Sequence, residues 1–320
     1  MSKKKLTIQQ KTRIARKQQS FSTEQDTELM EGLVITRSKR HALIESLQNG
    51  QQMSCVIRPD IGSLVVGDHV YWKAIDLCSG VVESVLPRKN VLSRPDSYRH
   101  VKMMAANITQ MIVVIATKPE PSRLLIDSYL VAAELMQVKV SIVFNKVDLD
   151  TLRLRDDFAM QYQNLCHAFV LNQSQDPNLV ALQALLKNEI SIFTGQSGVG
   201  KSTLIQLVIP NKAQDIATSP LSAIHEFGQH TTSNAHYFHL PFSGAIIDSP
   251  GIRSFGLSQI SRQDLLWGFK EFRPFIGQCK FRDCNHQSAG YCAIVDAVKK
   301  GQISENRYEN YVKMVAQYTF

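Results

Sequence analysis

Two short motifs, and the order in which they occur, constrain this chain more than any other feature. Asn145-Lys146-Val147-Asp148 comes first, and Gly195-Gln196-Ser197-Gly198-Val199-Gly200-Lys201-Ser202 follows it. The second motif is typical of a phosphate loop, and the first is typical of a loop that reads guanine. GTPases ordinarily carry the phosphate loop first. The reversed order therefore predicts a GTPase domain whose chain is circularly permuted.

The phosphate loop has the local context that this motif requires. An apolar run, Ile190–Thr194, predicts a strand before it, and Lys201–Val208 predicts a helix after it. Glycines let backbone N–H groups turn inward toward phosphate oxygens, and the helix N-terminus adds its positive end. Lys201 is expected at the β- and γ-phosphates and Ser202 at magnesium, with Thr203 completing the loop. A plain glycine turn before a helix is the alternative.

The guanine motif follows a predicted strand, Val140–Phe144, at the edge where ligands of such sheets bind. The Asp148 carboxylate can accept both the N1–H and the exocyclic N–H of guanine, a donor pair that adenine lacks. Asn145 is expected to fix the loop, and the Lys146 stem to cover the base or ribose. A charged turn after a strand is the alternative, although the phosphate loop nearby makes it a weak one.

Two further segments match the switch elements that sense a γ-phosphate. Asp248-Ser249-Pro250-Gly251 follows a predicted strand, Ala245–Ile247. The aspartate is expected to hold magnesium through water, and the Gly251 N–H to contact the γ-phosphate. In the polar stretch before this strand, either Thr231 or Thr232 is expected to meet magnesium.

His230 is the candidate catalytic residue. Many GTPases place a glutamine after the second-switch glycine to orient the attacking water, but Ile252 occupies that position here. An imidazole can orient or deprotonate water near neutral pH. A contact with a partner is an equally good interpretation of His230, and both predict slow intrinsic hydrolysis that a partner accelerates.

A cysteine and histidine cluster near the C-terminus predicts a metal site. Three thiolates and one imidazole form a complete tetrahedral shell, which is typical of one structural zinc ion rather than a catalytic one. Unrelated buried cysteines are the alternative. The four ligands are Cys279, Cys284, His286 and Cys292.

The N-terminal third combines a basic tail with short predicted strands. The formal net charge is +8, and most of it lies in the first 20 residues. This tail is expected to be disordered when free, and either binds a polyanion or aids solubility. Five short strands follow, which favours an OB-fold barrel for nucleic-acid binding, with a spacer as the alternative. The strands are Leu33–Thr36, Ala42–Ser46, Met53–Ile57, His69–Ala74 and Val81–Leu86.

The predicted fold class is therefore multidomain: an N-terminal OB-fold β-barrel, a central α/β P-loop GTPase and a C-terminal helical zinc-binding module. Apolar runs alternating with helical patterns predict the doubly wound α/β part. The predicted limits are a tail at 1–31, the OB-fold domain at 32–95, the GTPase domain at 96–258 and the zinc module at 259–320. No apolar stretch suits a membrane span or a signal peptide, so a cytoplasmic protein is expected.

Taken together, these parts and their order resemble the ribosome small-subunit-dependent GTPase A (RsgA/YjeQ) family. The resemblance covers nearly the whole chain, and it implies GTP hydrolysis to GDP, stimulated by the small (30S) ribosomal subunit and its 16S rRNA during late maturation. It also implies zinc at the Cys/His cluster and His230 as the catalytic histidine. A monomer is expected. Asn172-Gln173-Ser174 replaces the family's usual Ser-Ala. The shared strings are SLVVGD (63–68), LSRPD (92–96), AANITQ (105–110), FNKVDL (144–149), FTGQSGVGKST (193–203), GQHTT (228–232), IDSPGIRSFGL (247–257) and CKFRDCNH (279–286).

Three other functions remain as alternatives. A P-loop ATPase or kinase is disfavoured by Asp148. An RNA-binding module that holds GTP without turnover is kept open by Ile252. A permuted GTPase of the large subunit is disfavoured by the barrel and zinc module that flank the GTPase.

Overall fold

A computed structural model of the chain describes residues 29–76, 79–95, 101–146, 152–172, 179–209, 235–248, 260–287 and 290–317. In chain order, its regular elements form a barrel, a doubly wound sheet and a C-terminal group of helices. Among the helices in these ranges, none combines the length and the apolar character needed to span a bilayer.

The first five strands close into the small barrel that the sequence predicts. Strand β1 is antiparallel to both β2 and β4, and β3 lies parallel to β5, so the order β1-β2-β3-β5-β4 returns to β1. A turn at Asn49 and Gly50, whose φ of 72° suits glycine, joins β2 to β3. The strands are β1 (Met30–Arg37), β2 (His41–Ser46), β3 (Gln52–Ile57), β4 (His69–Ala74) and β5 (Ser79–Val85).

A separate antiparallel hairpin follows the barrel, and the sequence analysis missed it. It consists of β6 (Val91–Pro95) and β7 (Val101–Ala106). A register shift between Leu92 and Ser93, together with the proline that ends β6, interrupts the alternation by which a strand is usually recognised.

The central sheet is doubly wound, as predicted. Its order is β10-β9-β8-β11-β13-β12, with all pairs parallel except β12–β13. The short strand β12 was not predicted. The strands are β8 (Gln110–Ala116), β9 (Lys139–Asn145), β10 (Ala168–Asn172), β11 (Ile190–Thr194), β12 (His236–His239) and β13 (Ala245–Asp248).

Helices cover both faces of this sheet. Alternate residues of β8 enter different cores: Met111 and Val113 face one side, Ile112 and Val114 the other. Strands buried on both faces therefore read as unbroken apolar runs, which is how they were found in the sequence. The helices are α1 (Arg123–Leu135), α2 (Leu152–Tyr162), α3 (Val180–Leu186) and α4 (Lys201–Val208).

The C-terminal region is helical, as predicted, and packs on the α1 face. Helix α5 begins at a capping box in which Ser261 and Asp264 exchange hydrogen bonds. The longest helix of this region spans Glu305–Gln317. The elements are α5 (Arg262–Gly268), a 3-10 helix (Lys270–Phe275), α6 (Ala293–Lys299) and α7 (Glu305–Gln317).

These regions share cores and strands across the predicted domain limits, which stay predictions. β1 begins at Met30, two residues before the predicted start of the barrel domain. One apolar cluster joins β1, the central sheet and the C-terminal helices. β1 also pairs with β12 through Thr36 and His236, so barrel and sheet form one continuous set of strands.

Candidate nucleotide site and metal centre

The two predicted nucleotide motifs meet at the carboxyl edge of the central sheet. β8 lies between β9, which leads into the guanine motif, and β11, which leads into the phosphate loop. From β8 the chain continues to β9 and β10 on one side of the sheet, and from β11 it continues to β12 and β13 on the other side. Such a reversal leaves a crevice between the loops that follow the strands, and ligands of open α/β sheets bind there.

Glycine is required at two points of the phosphate loop. Gly195 has a φ of 130°, and a Cβ added to it would lie 2.2 Å from the carbonyl oxygen of Val114. Gly200 has a φ of 96°, and its Cβ would lie 2.3 Å from Nδ2 of Asn145. Any side chain would therefore strain the backbone and push the loop off its neighbours.

The guanine motif holds the phosphate loop directly. Asn145 Nδ2 donates a hydrogen bond to the Val199 carbonyl oxygen at 2.9 Å, in a buried position. Lys146, with a φ of 59°, donates from Nζ to the Gly198 carbonyl oxygen at 2.9 Å. Two segments far apart in sequence thus form one constellation.

Four of the predicted phosphate and magnesium residues lie in the described part of the chain, in or after strands that neighbour each other. Lys201 is buried, and its Nζ donates to the Gly195 carbonyl oxygen at 2.7 Å and to that of Gln196. Ser202 and Thr203 occupy the exposed first turn of α4. Asp248 is buried at the end of β13, the neighbour of β11. The lysine and the hydroxyls therefore begin the helix after β11, and the carboxylate ends the neighbouring strand β13.

Helix α1 is a support of the loop that sequence reasoning missed. Gln196 donates from Nε2 to the Glu120 carbonyl oxygen at 3.0 Å, and its Oε1 accepts the N–H of Ser122, the N-cap of α1, at 2.9 Å. Burial raises the pKa of Tyr129, whereas a hydrogen bond with the Gly195 backbone acts in the opposite direction. The strand-to-helix order alone could have indicated that this connection borders the crevice.

Several predicted residues lie outside the described part of the chain. The roles of these residues stay predictions. Gln173 and Ser174, beyond the end of β10, also lie outside the described residues. These site residues are Val147, Asp148, His230, Thr231, Thr232 and Gly251.

The four predicted metal ligands come together, so the cluster can hold a metal ion. Their ligand atoms all lie within 4.8 Å of one another. Cys279 Sγ is 3.5 Å from His286 Nδ1 and 3.9 Å from Cys292 Sγ, which is itself 3.6 Å from His286 Nδ1. Bond lengths of about 2.3 Å to sulfur and 2.0 Å to nitrogen in a tetrahedron give edges of roughly 3.5 to 3.8 Å.

Protonation acts on metal binding by the cluster in two opposite directions. Burial raises the pKa of Cys292 to about 11, so a metal has to displace its proton. Burial, together with nearby Arg262, lowers the pKa of His286 and favours the neutral, ligating ring. His286 has a φ of 59°, and its carbonyl oxygen accepts a 2.9 Å hydrogen bond from the Tyr308 hydroxyl, which anchors the loop to α7.

Comparisons with known proteins agree with this architecture. Residues 85–258 match the RsgA GTPase family. A small ribosomal subunit biogenesis GTPase RsgA 1 of Vibrio parahaemolyticus is 40% identical over 98% of this chain and 94% of its own length. A small ribosomal subunit biogenesis GTPase RsgA of Klebsiella pneumoniae is 43% identical over 90% of this chain and 84% of its own.

Solved structures show the same fold. YjeQ from Thermotoga maritima has a TM-score of 0.74 and 32% identity, covering 90% of this chain and 98% of that one. YloQ, a circularly permuted GTPase, has a TM-score of 0.70 at 24% identity, covering 92% and 96%. Since the family match covers more than half of the chain and the relatives align with nearly all of it, this chain belongs to the RsgA GTPase family.

Proposed function

We propose that this chain binds GTP in the crevice beside β8, hydrolyses it to GDP and phosphate, and acts in biogenesis of the small ribosomal subunit. The observation that carries the proposal is the buried hydrogen bond from Asn145 to the Val199 carbonyl oxygen. It joins a guanine motif to a phosphate loop, so one nucleotide can meet both. The relatives named as small-subunit biogenesis GTPases supply the biological setting.

The base is recognised by the loop after β9. Asp148 accepts the two adjacent N–H groups of guanine, a donor pair that adenine does not offer. Asn145 holds this loop against the phosphate loop. The Lys146 stem covers the base or ribose, and Val147 spaces the polar residues.

The phosphates are held mainly by backbone N–H groups of the loop and by the N-terminus of α4. Lys201 exchanges its carbonyl partners for phosphate oxygens at little cost, because its ammonium group already points into the loop. Ser202 and Asp248 are the residues placed to hold Mg²⁺. That ion would neutralise charge developing on the phosphate oxygens.

The remaining roles belong to the switch segments. Thr231 or Thr232 meets the metal in the GTP state, and the Gly251 N–H contacts the γ-phosphate. His230 orients or deprotonates the attacking water, since Ile252 offers no polar group. Ordering of these segments by the γ-phosphate, and their release on hydrolysis, would change how the protein holds its partner.

The Cys/His cluster holds one structural zinc ion. Three sulfur ligands and one nitrogen ligand at tetrahedral spacing support this metal. Zinc there fixes the loop between the 3-10 helix and α6. The protein acts as a cytoplasmic monomer, with the barrel, the basic tail and the zinc module as its surfaces toward the 16S rRNA of the 30S subunit.

GTP turnover by the purified protein, alone and with small or large ribosomal subunits, tests the proposal. We expect slow turnover alone and strong stimulation by small subunits only. Lys201→Ala should abolish both activities and serves as the control for contaminating hydrolases. Turnover that no subunit stimulates, or that large subunits stimulate equally, would contradict the proposed role.

A further inference from the structure

A groove runs between helix α5 and the loop that carries the metal ligands. Its volume is about 680 Å³. One wall is α5, and the other is the segment from Ile276 to His286, which the metal cluster and the Tyr308 hydrogen bond hold in place. The groove lies at the end of the C-terminal module, on elements separate from the loops of the nucleotide crevice.

Large aromatic side chains border this groove without being buried. Trp267 on α5 is 54% exposed, and Phe281 on the opposite wall is 56% exposed. Tyr291, which is 63% exposed, extends the second wall because its ring lies 6.1 Å from that of Phe281, edge to face. Aromatic rings as large as these are usually buried on folding, so a group of three exposed rings indicates a binding surface.

Cations accompany the rings. Lys280 Nζ lies 4.1 Å from the Tyr291 ring centre and 5.8 Å from that of Phe281. The Arg273 guanidinium lies 4.7 Å from the Trp267 ring centre and also donates to Glu134. These contacts fix ring orientation and reduce the entropy lost on binding.

The two arginines and two aspartates that line the groove balance in charge, and Lys280 on its second wall leaves the surface net positive. Arg262 and Arg282 line it opposite Asp264 and Asp283. The Asp264 carboxylate is already engaged as the acceptor in the α5 capping box, from the N–H and the hydroxyl of Ser261. With Lys280 at the rim, the surface offers cations beside exposed rings.

We propose that this groove binds unpaired bases of an RNA strand, with the bases stacked on Trp267, Phe281 and Tyr291 and the phosphates beside Lys280 and Arg282. Rings next to cations are what a single strand needs, since every base has a π-face and every nucleotide a phosphate. A duplex hides those faces. This inference rests on the proposed function, because it names the RNA feature that one surface of the protein contacts on the small subunit.

Intrinsic fluorescence gives a direct test on the full-length protein. The chain has two tryptophans. Trp72 is 3% exposed in the barrel core, so Trp267 is the one that a ligand can reach. We expect a single-stranded oligoadenylate to quench the emission, and Trp267→Phe to abolish that quenching. A duplex RNA of the same length and inorganic polyphosphate bring charge without accessible bases, and should quench little.

Substitutions on the opposite wall extend the test to affinity. Phe281→Ala and Tyr291→Ala should each weaken oligoadenylate binding about tenfold, whereas Phe281→Trp should retain it. Lys280→Ala should instead reduce the salt dependence. Met160→Ala removes a 78% exposed apolar side chain outside the groove and should change nothing. Metal content and thermal midpoint establish that each variant is folded.

The outcomes separate this inference from the proposed function. If small subunits stimulate turnover but the alanine variants bind oligoadenylate like the wild type, the groove inference is wrong and the function stands. If those variants lose subunit binding while Trp267 quenching persists, the groove meets a protein of the subunit, which also overturns the inference. If oligoadenylate quenches the wild type but not Trp267→Phe, and no subunit stimulates turnover, the proposed function is wrong and the groove inference stands.

Discussion

The barrel and the C-terminal helices are joined to the central sheet in opposite ways. The C-terminal helices attach through buried ion pairs and aromatic packing on α1. The barrel attaches through the pairing of β1 with the edge strand β12, a half-exposed ion pair, the buried hydrogen bond from Asn107 to the Gly67 carbonyl oxygen, and part of the shared apolar core. Because breaking a buried charge pair costs more than breaking an exposed one, we infer a rigid attachment for the C-terminal helices and a more adjustable one at the β1–β12 junction of the barrel.

Arg307 is the centre of the rigid attachment. It is 2% exposed and donates to Asp127 on α1 at 2.7 Å and to Glu271 at 2.6 and 3.1 Å. Asn310 donates to the second Asp127 oxygen at 2.7 Å, and the guanidinium also covers the ring of Phe269. The N-cap of α1 binds Gln196 of the phosphate loop, so the C-terminal module is fixed to the nucleotide site.

At the adjustable attachment, two polar contacts link β1 and β2 of the barrel to β12 and to the residue before it. Thr36 Oγ1 donates to the Ala235 carbonyl oxygen at 2.9 Å, and His239 Nε2 lies 2.8 Å from Glu45. β12 lies between the predicted first switch and β13, whose last residue is Asp248. We therefore expect a change in the predicted switches to act on the barrel through β12.

Metal removal should produce the largest local effect and leave the rigid attachment intact. A chelator, or Cys284→Ser, should unfold the loop around Cys279 and His286, because structural zinc supplies on the order of 10 kcal/mol to such a site. Hydrogen exchange should show lost protection there and retained protection in α7. Cys166→Ser, outside the cluster, is the matched control. Loss of protection in α7 would mean that the metal itself secures the module.

Arg307→Met should destabilise the folded protein by about 3–5 kcal/mol, because it leaves the buried Asp127 carboxylate without its cation. Urea denaturation measures the change. Arg58→Met removes a more exposed pair with Glu83 and should cost at most about 1 kcal/mol. Equal effects of the two substitutions would remove the basis for calling this attachment rigid.

Thr36→Val tests the barrel junction and should cost about 1 kcal/mol, since it deletes one side-chain hydrogen bond and keeps the shape of the side chain. The same urea experiment, with fluorescence of Trp72 in the barrel core as the probe, measures it. A loss as large as that of Arg307→Met would show that the two attachments are equally stiff.

The smallest effect should be a pH dependence at the same junction. A hydrogen bond with Glu45 raises the pKa of His239, and partial burial opposes it. The pair's contribution is therefore fully present below the unfolded histidine value of about 6.5, and it is lost as pH rises through the higher folded value. Solvent screening keeps it below about 1 kcal/mol. His239→Gln should remove this dependence between about pH 6 and pH 8, and an unaltered profile would assign it to other groups.

Much of the fold was predictable because most strands have a local sequence pattern that identifies them. The barrel strands alternate between turns, and strands such as β8 and β11 are unbroken apolar runs, so all were found. β12 was not predicted because it is only four residues long and two of them are histidines, so it lacks an apolar run. The hairpin of β6 and β7 escaped because Pro95 and a register shift obscure its period.

The motifs of the site were predictable from the sequence, but the contacts that connect them to the rest of the fold were not. Glycine and lysine spacing places the phosphate loop, and cysteine spacing places the metal cluster. The bonds of Gln196 to the start of α1, and of Arg307 to Asp127, join residues distant in sequence. No local pattern specifies such pairs, because they depend on how helices pack.

Nucleotide selectivity shows whether one crevice binds both the guanine base and the phosphates. Competition binding should compare GTP, ATP and xanthosine triphosphate on the wild type and on Asp148→Asn. We expect the wild type to prefer GTP to ATP by roughly 100-fold or more. We expect the variant to prefer xanthosine triphosphate, whose 2-oxo group accepts from the new amide. Equal wild-type affinity for ATP and GTP, or an unchanged GTP preference in Asp148→Asn, would contradict a single crevice that binds both guanine and phosphate.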